Sequence, residues 1–174
     1  DLQSDGARMY PRFVKGHPKV RHFECLMHLR QHLVKALAAH QLEALPLLED
    51  IAALYAIEQQ AKARGDSHAQ RGAWRHRNAK PILKRLQKRL LKLKADPRVF
   101  GALKKAVRYA THGARWQRVA RYAKAGNGHI EIDQLPIERI FRPVKIGLRN
   151  FLFIGHPKAG WISAVVYTII GTCP

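Results

Sequence analysis

The sequence predicts an α/β protein, dominated by helices, in which a long all-helical segment interrupts a smaller mixed core. Three observations predict this fold: short β-type patterns at the start, helical periodicity through the middle, and mixed patterns again at the end. The 174 residues suit about one domain, and 47% of them are hydrophobic, which is enough for a packed core. We therefore expect a core segment at residues 1–28, a helical insertion at 29–124 and a return to the core at 125–174.

Two short strands are predicted in the first segment. Asp1–Gly6 has the pattern of a strand that ends in a turn, because Asp-Gly tolerates the backbone angles that turns require. Val20–Cys25 alternates imperfectly between apolar and polar residues, which indicates a second strand. Pro11 and Pro18 interrupt any longer regular element.

Three helices are predicted in the insertion. Apolar residues recur at spacings of three and four over Gln41–Gln60 and over Lys80–Lys94. Asp96-Pro97 places a capping residue before a proline, which predicts a further helix from there through Tyr109.

The last segment mixes strand and helix patterns. His129–Asp133 resembles a short strand, and Pro136–Phe141 a short helix that begins at proline. Phe151–Gly155 is typical of a buried strand, and Lys158–Ile170 of an apolar helix. The most apolar stretch, Trp161–Ile170, is about half the roughly 20 residues that a helix needs to cross a membrane, so we expect no spanning segment.

The charge of the chain points to a polyanionic partner. Thirty-two Lys and Arg residues against 12 Asp and Glu give a net charge of +20, and 20 of the 32 lie in residues 62–124, which hold only Asp66 and Asp96 as acids. Residues 41–60 carry four acids and no Lys or Arg. This segregation favours a surface that faces phosphates, with nucleic acid as the first candidate, although a basic solvated surface is the plain alternative.

The two cysteines, Cys25 and Cys173, exclude a disulfide scaffold and are typical of a reducing cytoplasm. No signal peptide pattern is present, and both ends of the chain have the character of an internal piece of a longer protein. Cys25, His28 and His32 have ligand-like spacing, but a structural zinc normally needs four ligands, so no zinc is expected. Trp74 and Trp116 lie among arginines and suit either base stacking or core packing.

Several blocks of the sequence together resemble one family. Asp133–Pro143, followed by Gly147–Phe153, resembles the signature block Asp-Asn-Asn-x-x-Glu-Arg-x-x-Arg-Pro … Gly-Arg-Lys-Asn-Trp-Leu-Phe of bacterial insertion-sequence-66 family transposases. Leu2–Gly6 and Cys25–Arg30 resemble the family's upstream Leu-Gln-x-Asp-Gly and Cys-x-x-His-x-Arg blocks, in the same order. Gln134-Leu135 replaces the Asn-Asn pair of the family, and Leu148 replaces a basic residue.

The resemblance implies a ribonuclease-H-like core, here partial, with an Asp-Asp-Glu triad that binds two Mg²⁺ or Mn²⁺ ions. Asp5 would be the second acid and Glu138 the third, both catalytic and metal-binding, while the first Asp would precede residue 1. Cys25, His28 and Arg30 would form a structural motif. The resemblance implies a homo-oligomer that cleaves DNA strands at transposon ends and transfers them to target DNA. This fragment is expected to be inactive alone.

Seven basic residues are the candidate DNA contacts. Arg139, Arg142 and Arg149 would hold phosphates near the catalytic Glu, or else pair with Asp133 and Glu131. The other four lie on one predicted helix: Lys84, Arg85, Lys88 and Arg89.

Plainer interpretations stand beside these. Asp5-Gly6 on its own is typical of an ordinary turn. Glu138 and Arg142, at positions i and i+4, are on their own typical of an ion pair on a helix surface. The alternative function is a non-catalytic basic helical module that binds nucleic acid, or an inactive transposase remnant. A third is membrane-surface binding through the amphipathic helix of residues 80–94, although we expect no membrane partner.

Overall fold

A computed structural model describes residues 1–7, 9–134, 139, 142–143, 145–147 and 156–172 of the chain. The chain forms two compact units, Asp1–Asp133 and Gln134–Pro174.

A two-stranded parallel sheet begins the first unit. Strand β1 (Leu2–Ser4) pairs with β2 (His22–Glu24), so that Leu2 lies opposite His22 and Ser4 opposite Glu24. Parallel neighbours require a crossover connection, and helix α1 (Met9–Lys15) lies within it. Both strands predicted for residues 1–28 are confirmed. The ribonuclease-H-like topology goes beyond these two strands and stays a prediction.

Helices make up most of the rest of this unit, as predicted. They are α2 (Leu26–Val34), α3 (Gln41–Ala63), α4 (His68–Ala95), α5 (Gly101–Thr111) and α6 (Arg115–Ala120), followed by 3₁₀ turns at Arg121–Ala123 and Ala125–Asn127. The second unit contains α7 (Pro157–Thr172), which confirms the helix predicted at residues 158–170.

The hydrophobic core lies where α3 and α4 pack along one another and against α2 and α5. Most of the apolar positions that recur along α3 and α4 form this interface, because they fall on one side of each helix. Leu42 and Leu45, in the first turns of α3, belong to the recurring pattern but are 88% and 44% exposed. The fully buried members include Leu47, Ile51, Leu54, Leu86 and Leu90.

A capping box fixes the start of α4. The Ser67 backbone N–H donates to Gln70 Oε1 at 2.8 Å, and the Gln70 N–H donates back to Ser67 Oγ at 3.4 Å. The predicted stripe of residues 80–94 is therefore the second half of a much longer helix.

The helix predicted to begin at Asp96-Pro97 begins instead at Gly101. Asp96 Oδ1 accepts hydrogen bonds from the Arg98 backbone N–H and from Arg98 Nε, at 2.9 and 3.0 Å, and so closes a tight turn. Gly101 has a φ of +56°, outside the right-handed helical region. These local geometries delay the helix by four residues.

The strand predicted at His129–Asp133 is wrong. Ile130 and Ile132 are buried, as the alternation suggests, but this segment joins no strand ladder. Its backbone makes separate contacts instead: the Ile132 carbonyl accepts from the Leu26 N–H at 3.2 Å, and the Glu131 carbonyl from Gln3 Nε2 at 2.8 Å. The apolar and polar residues of this segment therefore alternate because one side of the segment is buried, and not because the segment pairs with a strand.

The strand predicted at residues 151–155 lies outside the described residues, as does most of the helix predicted at 136–141. Within the described part of the chain, no helix combines the length and apolar character needed to cross a membrane.

Candidate functional site

Asp5 directly follows β1, and its side chain is exposed. Its Oδ1 atom accepts a hydrogen bond from the Ala7 N–H at 2.9 Å, and Gly6, with a φ of +86°, turns the chain away from the sheet. Among the described residues no donor binds Oδ2. The turn therefore presents one carboxylate oxygen to a ligand.

Two side chains of the helical insertion hold this turn. Tyr109 Oη, on α5, donates to the Asp5 carbonyl at 3.0 Å, and Arg115 Nη2, on α6, donates to the Gly6 carbonyl at 2.6 Å. A Cβ atom on Gly6 would lie 2.7 Å from Tyr109 Oη. Glycine is thus required at this position both for its φ and for the close approach of Tyr109.

Glu24, at the end of β2, joins this support. Its side chain is fully buried, and its two carboxylate oxygens accept from Arg115 Nε at 2.7 Å and from Arg118 Nε at 2.6 Å. A buried carboxylate is tolerated when it is paired and hydrogen-bonded in this way. Arg115 therefore links the end of β2 to the turn that carries Asp5.

His22 and Ser4 connect the two strands beneath this turn, with 2.7 Å between His22 Nε2 and Ser4 Oγ. Burial lowers the pKa of His22, against the opposing effect of Glu24, and the charges of Arg118 and Arg121 lower it further. The ring is accordingly neutral near pH 7, which suits a buried hydrogen-bonded position.

The Cys25, His28 and Arg30 motif lies at the start of α2, immediately after β2. Cys25 is fully buried, His28 is half-buried and Arg30 is exposed. Within the described ranges, no three His, Cys, Asp or Glu side chains converge in a way that could hold a metal ion.

The remaining predicted residues near the third acid belong to the second unit. Glu138 and Arg149 lie outside the described residues, while Arg139 and Arg142 are described and exposed. Their assignment as catalytic or DNA-binding residues stays a prediction.

The four candidate DNA contacts on α4 divide into two kinds. Arg85 Nε and Arg89 Nη1 donate to the two oxygens of Asp50, at 2.8 and 2.7 Å, and the Asp50 side chain is only 3% exposed. Lys84 and Lys88 are exposed, and among the described residues neither forms a side-chain hydrogen bond or ion pair. Arg85 and Arg89 thus neutralise a buried acid of α3, although each stays partly exposed.

Both tryptophans interleaved with arginines pack within the first unit. The Arg64 guanidinium lies 3.8 Å from the centroid of the Trp74 ring, and Trp116 is 6% exposed. Of the two interpretations left open by the sequence, core packing describes Trp116 better.

Sequence reasoning missed Glu24, Tyr109, Arg115 and Arg118 as supports of the Asp5 turn. Arg115 lies 91 positions from Glu24 and 109 from Gly6. No local pattern connects residues at such separations. The only available signal was the clustering of basic residues around a single short helix.

A comparison with protein families places the sequence of this chain in a known group. The profile described as "Transposase IS66 family" matches residues 1–161, which include both the Asp5 turn and the segment with Glu138. The chain belongs to the IS66 transposase family. The resemblance noted in the sequence is therefore confirmed.

A similar curated protein belongs to the bacterium Sinorhizobium fredii and is described as "Uncharacterized protein y4jD". It is 30% identical over 177 residues, which cover 98% of this chain and 34% of that protein. This IS66 family chain thus spans about a third of the length of that relative. No solved structure matches the chain.

Proposed function

We propose that this chain is part of a transposase catalytic domain of the Asp-Asp-Glu type, which cleaves and joins DNA strands during movement of an insertion sequence. The observation that supports this function best is the exposed Asp5 carboxylate at the carboxyl end of β1, in a chain of the IS66 transposase family. In this proposal Asp5 is the second acid of the triad and Glu138 the third.

The donor set at Asp5 suits the divalent metal that this activity implies. Asp5 offers a carboxylate oxygen that no described residue binds, and Mg²⁺ and Mn²⁺ prefer such hard oxygen ligands. Asp5 and Glu138 would hold the metal, which when bound activates the attacking oxygen and stabilises the leaving oxygen in an in-line displacement at phosphorus.

The protein's own contribution is to hold Asp5 in position. Tyr109 and Arg115 bind the backbone carbonyls of the turn, and Glu24 fixes Arg115 in turn. Such supporting contacts matter because a ligand displaced by about 1 Å loses much of its effect on the reaction. DNA is the proposed partner, and the net charge of +20 would favour its phosphates.

The proposal is tested in the full-length transposase that contains this chain, with a labelled DNA fragment that carries the end of the element. Asp5→Asn and Glu138→Gln are each expected to reduce strand cleavage to background, because each removes a metal ligand, while DNA binding stays within a few-fold of the unchanged protein. Asp66→Asn is the matched control, because Asp66 pairs locally with Arg64, two positions away, and the Arg64 side chain is 41% exposed. Full cleavage by Asp5→Asn would contradict the proposal.

The alternative is a basic module that binds nucleic acid without catalysis. It is favoured by the exposed, unpaired lysines of α4, which need no catalytic centre to attract phosphates. The same assay separates the two functions, since the alternative predicts DNA binding with no cleavage by any variant, including the unchanged protein.

A further inference from the structure

Two sets of basic residues lie on opposite flanks of α4, and they differ in whether they have acidic partners among the described residues. On the flank toward α3, Arg75 binds Glu58 with 2.7 Å between Nε and Oε1, and Arg85 and Arg89 bind Asp50. These arginines compensate buried or half-buried acids, so they contribute little unpaired charge.

The opposite flank faces α6 and carries basic residues without partners. His76, Lys80 and Lys84 are exposed there, and no described residue forms a side-chain hydrogen bond or ion pair with them. Lys124, which follows the first 3₁₀ turn, is exposed on the other side of the same groove, and its side chain pairs with none of the described residues. Among the described residues, some of the unpaired basic side chains of α4 therefore lie where α4 meets the segment from α6 to Lys124, while Arg77, Lys88, Lys92 and Lys94 are exposed elsewhere on the helix.

These four side chains line a groove of about 360 Å³. None of the residues that line it is acidic. His76, Lys80 and Lys84 recur at i, i+4 and i+8, which places them on one side of the helix at steps of about 6 Å along its axis. Basic side chains at this spacing, with Lys80 and Lys84 on successive turns, suit successive phosphates of one nucleic-acid strand.

The floor of the groove is mainly apolar. Leu83 from α4 and Trp116, Ala120 and Ala123 from the opposite side line it between the basic rims, together with the polar Gln87 of α4. Leu83 and Trp116 are only 5% and 6% exposed, so each offers the groove a small part of a side chain that otherwise packs in the core. The outside of a DNA duplex presents charged phosphates, which an apolar floor does not accommodate. A single strand instead exposes sugar and base faces, which pack on apolar and aromatic surfaces while its phosphates bind cations.

We propose that this groove binds a single strand of DNA, with phosphates on Lys80, Lys84 and Lys124 and with sugars or bases against the floor. The inference deepens the proposed function, because it rests on DNA being the substrate and names where one strand lies. It also separates the strand-binding residues from Arg85 and Arg89, which the sequence alone groups with Lys84.

The test uses the full-length transposase and a fluorescein-labelled single strand of about 16 nucleotides, a length within the range that such sites occupy. Binding is measured by anisotropy over sodium chloride concentrations from about 0.05 to 0.2 M. In the groove variant, Lys80, Lys84 and Lys124 are all changed to Gln. Each single-strand phosphate contact contributes about 0.7 to the slope of log K against log salt, so we expect the slope to fall by about 2 and the affinity at 0.1 M salt to fall about 100-fold.

The matched control changes three exposed lysines away from the groove, Lys19, Lys62 and Lys105, to Gln. It removes the same charge, so an effect of net charge alone would weaken binding equally in both variants and overturn the inference. A groove variant that loses duplex binding but keeps single-strand binding would also overturn it. Circular dichroism establishes that both variants are folded.

The outcome is independent of the test of catalysis. If Asp5→Asn still cleaves DNA but the groove variant no longer binds single strands, the catalytic assignment is wrong and the groove assignment stands. If Asp5→Asn loses cleavage while the groove variant binds as the control does, the catalytic assignment stands and the groove assignment is wrong.

Discussion

Glu24 is a buried charge whose loss should destabilise the first unit. Its carboxylate is fully buried between Arg115 and Arg118, which are themselves only 10% and 16% exposed. In Glu24→Gln both guanidinium groups lose their counter-charge while they stay largely buried, so we expect a loss of about 3 kcal/mol in the free energy of unfolding. Urea denaturation measures this loss.

Glu131→Gln is the matched control for that substitution. Glu131 pairs with Arg71 at 2.9 Å, but its side chain is 52% exposed, so water replaces the lost partner. The expected loss is below about 1 kcal/mol. Equal losses in the two variants would show that the burial of Glu24 has no energetic effect.

At the scale of residues, the sequence predicted the local turn at Asp5-Gly6 better than the distant contacts that support it. The Asp-Gly pair identified the Asp5 turn, because the conformational freedom of glycine is a local property. The role of Arg85 and Arg89 was not predictable, because their partner Asp50 lies on another helix 35 and 39 positions away. Composition shows that a segment is basic. It does not show which of the basic side chains are neutralised by contacts with acids elsewhere in the fold.

Among the elements, α4 makes an unusually close approach to the turn at residues 125–128. A Cβ atom on Gly72 would lie 1.9 Å from the Ala125 carbonyl oxygen, and one on Gly128 would lie 1.7 Å from the His68 carbonyl oxygen. At both points the backbone of α4 lies in direct contact with the backbone of the turn. The start of α4 is therefore held against this turn only because glycine occupies both positions.

Gly72→Ala tests this contact. Alanine at an ordinary helical position stabilises by about 1 kcal/mol relative to glycine. At Gly72 we expect alanine to destabilise the protein instead, because α4 must move away from Ala125 to admit the methyl group. Thermal unfolding at a lower temperature would show this destabilisation. Gly126→Ala, in the same turn but with open space around the added atom, is expected to leave the midpoint unchanged.

The elements also show where periodicity predicts well and where it does not. The long stripes of α3 and α4 were predictable, because many residues repeat the same pattern. The alternation at Ile130 and Ile132 was misleading, because a segment buried on one side produces it without any neighbouring strand. The start of α5 depended on a single side-chain contact between Asp96 and Arg98, which no pattern reports.

For the whole molecule, the net charge of +20 opposes the compact state through mutual repulsion. Salt screens this repulsion, with a Debye length of about 30 Å at 0.01 M and 10 Å at 0.1 M. We therefore expect the midpoint of thermal unfolding to rise with sodium chloride over this range. The Lys19, Lys62 and Lys105→Gln variant should show a smaller rise, whereas a midpoint that falls with salt would mean that paired charges outweigh the excess.

The hydrogen bond from Arg115 to Gly6 constrains the order in which parts of the chain can fold during synthesis. β1 and the Asp5 turn leave the ribosome before the helical segment that follows them, but the hydrogen bond to the Gly6 carbonyl cannot form until Arg115 of α6 has been synthesised, 109 positions later. At about 5–20 residues per second this interval lasts roughly 5–20 s. The strand that carries the proposed metal ligand therefore emerges early, and its binding geometry is completed only after the entire helical insertion has folded onto it.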